Sequence, residues 1–172
     1  MSTIGMIFGE IATPTPAPAE AGGTGDGKPV DLYENLTMNT QNDWTIPLAY
    51  LTILVAAVYA DGVATEEELE YVRSLVKRCS TMRGQTQNSL TQLNIDAMDR
   101  IRTRHDFLSE ACAILPSDMH QSLFAHCVDI VLSDGDLAEK ERDLLDALVE
   151  KMALKPEEAR KIMEVIFAKN RY

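Results

Sequence analysis

Four carboxylates recur at matched spacing in two parts of the chain. Asp61 precedes Glu68 by seven residues, and Asp134 precedes Glu141 by the same interval. Each aspartate is followed by glycine, which permits a turn with positive φ. Four converging carboxylates repel one another unless some are protonated or a divalent cation is bound. Because oxygen-only ligands favour Ca²⁺, Mg²⁺ or Mn²⁺ over Zn²⁺, the spacing raises the hypothesis of a cation site at these four positions.

The two acid pairs belong to a duplicated helical hairpin. Residues 60–79 (ADGVATEEELEYVRSLVKRC) align with residues 133–152 (SDGDLAEKERDLLDALVEKM) at an offset of 73 positions. The identical positions are one Asp, one Gly, two Glu, one Leu and one Val in each copy. Packing of the hairpins about a local two-fold would bring the four acids together, with Asp129, Asp136 and Glu67 nearby.

The position of the two aspartates requires compensation. Asp61 and Asp134 each follow an apolar helical segment. A negative charge at a helix C-terminus is disfavoured by about 0.3–1 kcal/mol. One explanation is that each aspartate accepts hydrogen bonds from the start of the following helix. A bound cation is the alternative.

The two glutamates differ in their local sequence. Glu68 comes three residues after Thr65, which is a capping-box pattern. The residue aligned with Thr65 is Ala138, whose side chain has no oxygen, so we predict that capping does not explain Glu141. The site is not an EF-hand, because the Asp-x-Asp-x-Asp-Gly loop is absent and the turns are too short to surround an ion. Both interpretations of the acids, as ligands and as stabilisers of the hairpins, stay open.

Helical periodicity dominates the chain after residue 45. We expect the first helix to begin at Thr45, with Pro47 in its first turn. The apolar stretch 49–60 predicts a buried helix and is too short to span a bilayer. Gly84 is expected to end the helix of the first hairpin, and Pro156 to open the last helix.

Further apolar stripes complete an all-α bundle of about seven helices, with no run typical of a strand. One of these helices is expected to be capped by Ser117 or Asp118. Residues 1–45 are rich in Pro, Ala, Gly and Thr, which predicts a disordered tail, and residues 46–172 form the helical domain.

Composition excludes some classes of function. The net charge of −11 and the pI of about 4.6 argue against binding to nucleic acid. Neither a nucleophile–base arrangement nor a phosphate-binding glycine loop is present, so we expect no enzyme activity. The N-terminus lacks the pattern of a secretory signal, and three widely spaced cysteines fit a reduced, cytoplasmic protein in which Cys112 and Cys127 are core residues.

Charge is distributed unevenly along the sequence. Residues 73–104 contain seven basic side chains and two acids, whereas the segments around Asp61 and Asp134 are acidic. One interpretation of this pattern is a bipolar surface that binds proteins or a membrane surface without metal. Ordinary solvated helix faces with mixed charge are the alternative.

Two segments, VYADGVATEEELEYVRSL and VLSDGDLAEKERDLLDAL, resemble the tellurite-resistance TerB family. The resemblance spans about residues 46–169. It implies a helical domain with a metal site at Asp61, Glu68, Asp134 and Glu141. It also implies a role in resistance to tellurite and other stresses, with stress-response partner proteins near the inner face of the inner membrane.

Overall fold

A computed structural model describes residues 43–133 and 137–171. Within these ranges the chain forms seven α-helices, one short 3₁₀ turn and no strand. The elements in chain order are α1 Ile46–Val58, α2 Glu66–Arg78, the 3₁₀ turn Ser80–Met82, α3 Gln87–Thr103, α4 Phe107–Ile114, α5 Ser117–Val131, α6 Glu139–Lys151 and α7 Pro156–Asn170. The all-α prediction is confirmed. The predicted tail, apart from residues 43–45, lies outside the described residues.

Helix α1 is the central element of the bundle. Every residue from Leu48 to Val58 is buried, as the apolar stretch predicted. Thr45 accepts a hydrogen bond from the Leu48 N–H at 3.3 Å and Pro47 lies in the first turn, which confirms the predicted start. Because α1 packs against α3, α4 and α5, it fixes the positions of the helices around it.

The packed structure begins before α1, at Trp44, which is 7% exposed. Its Nε1–H donates to Glu110 Oε2 at 2.8 Å, and Arg104 donates to the same oxygen at 2.7 Å. The Arg100 guanidinium lies 4.5 Å from the centre of the indole ring, in a cation–π contact. Hydrogen bonds from Trp44 and Arg104 lower the pKa of Glu110. Trp44 therefore belongs to the bundle, although sequence composition placed it in the tail.

Two predicted helix boundaries are wrong. Helix α2 ends at Arg78, and the backbone of Cys79 is extended. Gly84, with φ +87°, follows the 3₁₀ turn instead of ending α2. Helix α5 begins at Ser117 itself, after Pro116, with no side-chain cap, so neither Ser117 nor Asp118 serves as the N-cap. Proline at that position already has a backbone conformation compatible with entry into a helix.

Helix α5 connects the two copies of the predicted repeat. Helix α2 follows α1 in the first copy, and α6 follows α5 in the second. Helix α5 packs against both α2 and α6, and against α7. No helix within the described ranges has the length and apolarity needed to cross a membrane.

Candidate functional site in the acidic hairpins

The turn of the first hairpin is built around Asp61. Its Oδ1 accepts a hydrogen bond from the Val63 N–H at 2.8 Å, and Gly62 between them has φ +95°. The predicted bond from the start of the following helix is wrong, because Val63 lies in the turn, before α2 begins at Glu66. The Asp61 side chain thus orders the turn locally while it stays exposed to solvent.

Glu68 forms the predicted capping box at the start of α2. Its Oε2 accepts from the Thr65 N–H and from the Thr65 hydroxyl, both at 2.8 Å, and the Glu68 N–H donates to Thr65 Oγ1 at 3.2 Å. The carboxylate is buried, with 5% of the residue exposed. Burial and the Glu68 charge together raise the pKa of Tyr59. The Glu68 carboxylate is therefore close enough to Tyr59, the C-cap of α1, to affect the titration of the Tyr59 hydroxyl.

Glu141 repeats half of this arrangement at the start of α6. Its Oε2 accepts from the Ala138 N–H at 2.8 Å, and 7% of the residue is exposed. The alanine has no oxygen to return the bond, and α6 has no side-chain cap. The prediction that capping cannot explain Glu141 was wrong, because this carboxylate needs only the backbone N–H of the residue before the helix.

The structure places three of the four predicted ligands. Glu68 and Glu141 are buried, and Asp61 is exposed. Asp134, with Asp136, lies outside the described residues. Within residues 43–133 and 137–171, no three or more His, Cys, Asp or Glu side chains form a group that could hold a metal ion. The three described acids are thus not assembled into a metal centre by themselves.

The described acids offer the kind of oxygen atom that a divalent cation binds, but there are too few of them to complete a site. Carboxylate oxygens are the ligands that Ca²⁺, Mg²⁺ and Mn²⁺ prefer, and Ca²⁺ takes six to eight of them in typical sites. The backbone N–H bonds orient Glu68 and Glu141 in the same way. Any cation site would therefore depend on Asp134 as well.

A polar network that starts in the middle of α2 was missed by sequence analysis. The Tyr71 hydroxyl lies 2.9 Å from His126 Nδ1. Asp129, expected near the acidic site, instead accepts from Lys169 at 2.5 Å and from Asn170 at 2.9 Å. Burial alone would raise the pKa of Asp129, but the bonds from Lys169 and Asn170 outweigh it and lower the pKa. The network links α2, α5 and α7.

Comparison with known families supplies independent information. A family model described as tellurite resistance protein TerB matches residues 47–165. This range covers both acidic hairpins and reaches from α1 into α7. Comparisons with curated proteins and with solved structures gave no match.

Proposed function

We propose a function for this chain, which belongs to the TerB family of tellurite resistance proteins. It is a non-catalytic stress-response module, and its acidic hairpins bind a divalent cation. The observation that carries the cation proposal is the equivalence of Glu68 and Glu141. The two carboxylates are buried to nearly the same extent and accept the same backbone hydrogen bond. Glutamate is rarely buried to this degree unless its charge is compensated.

Capping accounts for part of this compensation. A carboxylate in the first turn of a helix interacts favourably with the helix dipole, by about 0.3–1 kcal/mol. The proposed cation, Ca²⁺, Mg²⁺ or Mn²⁺, would bind to both carboxylates and connect the two hairpins. Asp61, Glu68, Asp134 and Glu141 would hold it, each through carboxylate oxygen.

The family supports a proposal for the cellular role, which is tellurite resistance. A non-catalytic module would act through its partners, and we propose other stress-response proteins as those partners. We place this assembly in the cytoplasm, at the inner face of the inner membrane. Cation binding would then adjust the relative positions of the hairpins that such partners contact.

The test is thermal unfolding of the full chain after EDTA treatment, then with Ca²⁺, Mg²⁺ or Mn²⁺. A ligand at 100 times its Kd adds about 2.7 kcal/mol, which raises Tm by several degrees for a domain of this size. The deciding variant is Glu68→Gln/Glu141→Gln. Glutamine keeps an oxygen that accepts the capping bond, but it removes the charge. We expect this variant to fold and to lose the metal-induced shift.

Glu157→Gln/Glu164→Gln is the matched control, because both glutamates are exposed on α7 and the change in net charge is the same. This control should keep the full shift. A shift that survives in Glu68→Gln/Glu141→Gln would place the ion elsewhere. Absence of any shift at millimolar metal would contradict the cation proposal.

A metal-independent adaptor is the second candidate, and the charge distribution of α2 favours it. The helix starts with exposed acids, Glu66, Glu67 and Glu70, and ends with the exposed cations Lys77 and Arg78. This polarity matches the helix dipole and also presents two surfaces of opposite charge. An adaptor of this kind predicts no metal-induced shift, together with partner binding that weakens as salt increases.

A further inference from the structure

A cleft lies between α1, α2, the 3₁₀ turn and α5. Its volume is about 440 Å³, within the range of small-molecule sites. Tyr50, Leu75 and Met119 supply an apolar surface, and the Tyr50 hydroxyl is hydrogen-bonded to the side chains of Cys79 and Ser122. The cleft therefore combines apolar contact area with positioned polar groups, as ligand sites usually do.

The cleft carries one cationic and one anionic side chain. Arg78 is the last residue of α2, and Asp118 lies in the first turn of α5. Both are exposed and both line the cleft, but neither forms an ion pair within the described part of the chain. Arg78 Nε donates to the Ser74 carbonyl oxygen at 3.3 Å, so the terminal nitrogens of the guanidinium can donate elsewhere. The cleft thus presents two opposite charges that do not neutralise each other by direct contact.

His126 lines the same cleft and offers it a hydrogen-bond acceptor. Its Nδ1 lies 2.9 Å from the Tyr71 hydroxyl. Tyr71 is also hydrogen-bonded to Asp129, and a carboxylate only accepts, so the single hydroxyl hydrogen is donated to Asp129. The Tyr71 oxygen must then accept from the Nδ1–H of His126, which leaves Nε2 with its lone pair. Burial lowers the pKa of His126, so the ring is neutral at about pH 7.

We propose that the cleft binds a free α-amino acid with an apolar side chain, whose carboxylate pairs with Arg78 and whose ammonium group pairs with Asp118 and His126 Nε2. The terminal nitrogens of Arg78 donate in the geometry that a carboxylate accepts. An ammonium group has three hydrogens and no acceptor, so it requires acceptors such as the Asp118 carboxylate and the His126 lone pair. The apolar side chain of the ligand would lie against Leu75 and Met119.

The two charges of the cleft select a ligand that carries both signs. A simple anion at Arg78 would be repelled by Asp118, and a simple cation at Asp118 would be repelled by Arg78. An α-amino acid places its carboxylate and its ammonium group on one carbon atom and satisfies both side chains. Asp61, Glu68 and Glu141 do not line this cleft, so the proposal is independent of the cation site.

The test is a ¹H–¹⁵N NMR titration of the full chain with L-leucine, at constant ionic strength and in EDTA, so that divalent cations do not contribute. We expect saturable shifts of the amide signals of Ser80, Ser122 and His126, which line the cleft. The Kd should be on the order of 1 mM, since the ligand has few atoms. The amide of the exposed His105 at the end of α3 should not shift.

Two charge-removing variants test the roles of the cleft residues. Arg78→Gln and Asp118→Asn should each raise the Kd for leucine roughly tenfold or more, because each removes a charge-assisted hydrogen bond to the ligand. Lys77→Gln and Asp143→Asn are the matched controls, since both residues are exposed and neither lines the cleft. These controls should keep the wild-type Kd.

Leucine analogues test the proposal on the wild type and do not depend on any variant folding. Isocaproate lacks the ammonium group of leucine, and isoamylamine lacks its carboxylate. Each should bind at least about tenfold more weakly than leucine. Three results would overturn the proposal: no saturable shift at tens of millimolar leucine, equal binding of either analogue, or a Kd that Lys77→Gln raises as much as Arg78→Gln does.

Discussion

Glu68 and Glu141 occupy the same position in two helices, although they are 73 positions apart in the sequence. Each is the third residue of its helix, and each accepts a 2.8 Å hydrogen bond from the backbone N–H three residues earlier. The first copy adds two bonds that involve the Thr65 hydroxyl. The second copy has Ala138 at that position and cannot form them. The two copies therefore share the glutamate carboxylate and its backbone bond, but differ in the side chain of the residue before the helix.

This difference predicts opposite effects for two substitutions. Thr65→Ala removes the side-chain cap of α2 and should lower the free energy of unfolding by about 0.5–2 kcal/mol. Ala138→Ser adds a hydroxyl that can accept from the Glu141 N–H, so it should raise the free energy by a similar amount. Urea unfolding of both variants measures the two changes. Equal destabilisation by both would mean that the N-terminus of α6 has no room for a second cap bond.

The Tyr71–His126 contact predicts a dependence of stability on pH. Because burial lowers the pKa of His126, the unfolded chain binds a proton more readily than the folded chain. Stability from the neutral ring is then complete above the unfolded value of about 6.5, and it decreases as pH falls below that value.

The measurement compares the wild type with His126→Gln between about pH 5 and 7.5. The stability difference between them, wild type minus variant, should grow as pH rises towards about 6.5 and then stay constant. A difference independent of pH would show that His126 has the same proton affinity in both states. Denaturant unfolding followed by Trp44 fluorescence suits this measurement, because the chain has one tryptophan and it is buried.

The predictions were correct where the contacting residues are close together in the sequence, and they failed where these residues are far apart. The confirmed predictions of helix starts follow local rules, which need only the residues of the first helical turn. They concern Thr45, the Thr65–Glu68 pair and Pro156. Trp44 was missed because its partner Glu110 lies 66 positions away. Local composition carries no information about such a contact.

The candidate site shows the same limit. Periodicity and duplication identified Glu68 and Glu141, but pattern alone did not reveal that both are buried and bonded to the backbone. The role of Glu141 was predicted wrongly, because its bond comes from the backbone N–H of Ala138 and needs nothing from the alanine side chain. Asp129 was expected among the acids, and the structure pairs it with Lys169, 40 positions away. The relative placement of side chains on different helices depends on packing, which no single helix encodes.

The three cysteines should differ in reactivity. Cys79 is partly exposed where α2 ends, whereas Cys112 and Cys127 are buried. Burial raises the pKa of Cys112 to about 11 and also raises the pKa of Cys127. The thiolate is the reactive form, so both should react slowly with Ellman's reagent. We expect one fast thiol in the folded protein and three in urea. Cys79→Ser should abolish the fast phase, and a fast phase that remains would contradict the burial of the other two.

Asn94 offers a test of packing in the bundle. It is 0% exposed on α3, and neither its amide nitrogen nor its amide oxygen has a hydrogen-bond partner among residues 43–133 and 137–171. A buried polar group without a partner costs about 1–3 kcal/mol. Asn94→Leu removes this cost and should raise the free energy of unfolding, provided that α3 accommodates the larger side chain. Asn94→Ala, which adds no volume, separates the two effects because it removes the polar group without crowding. If both variants are less stable than the wild type, the Asn94 amide is hydrogen-bonded in solution, and the polar group stabilises the fold.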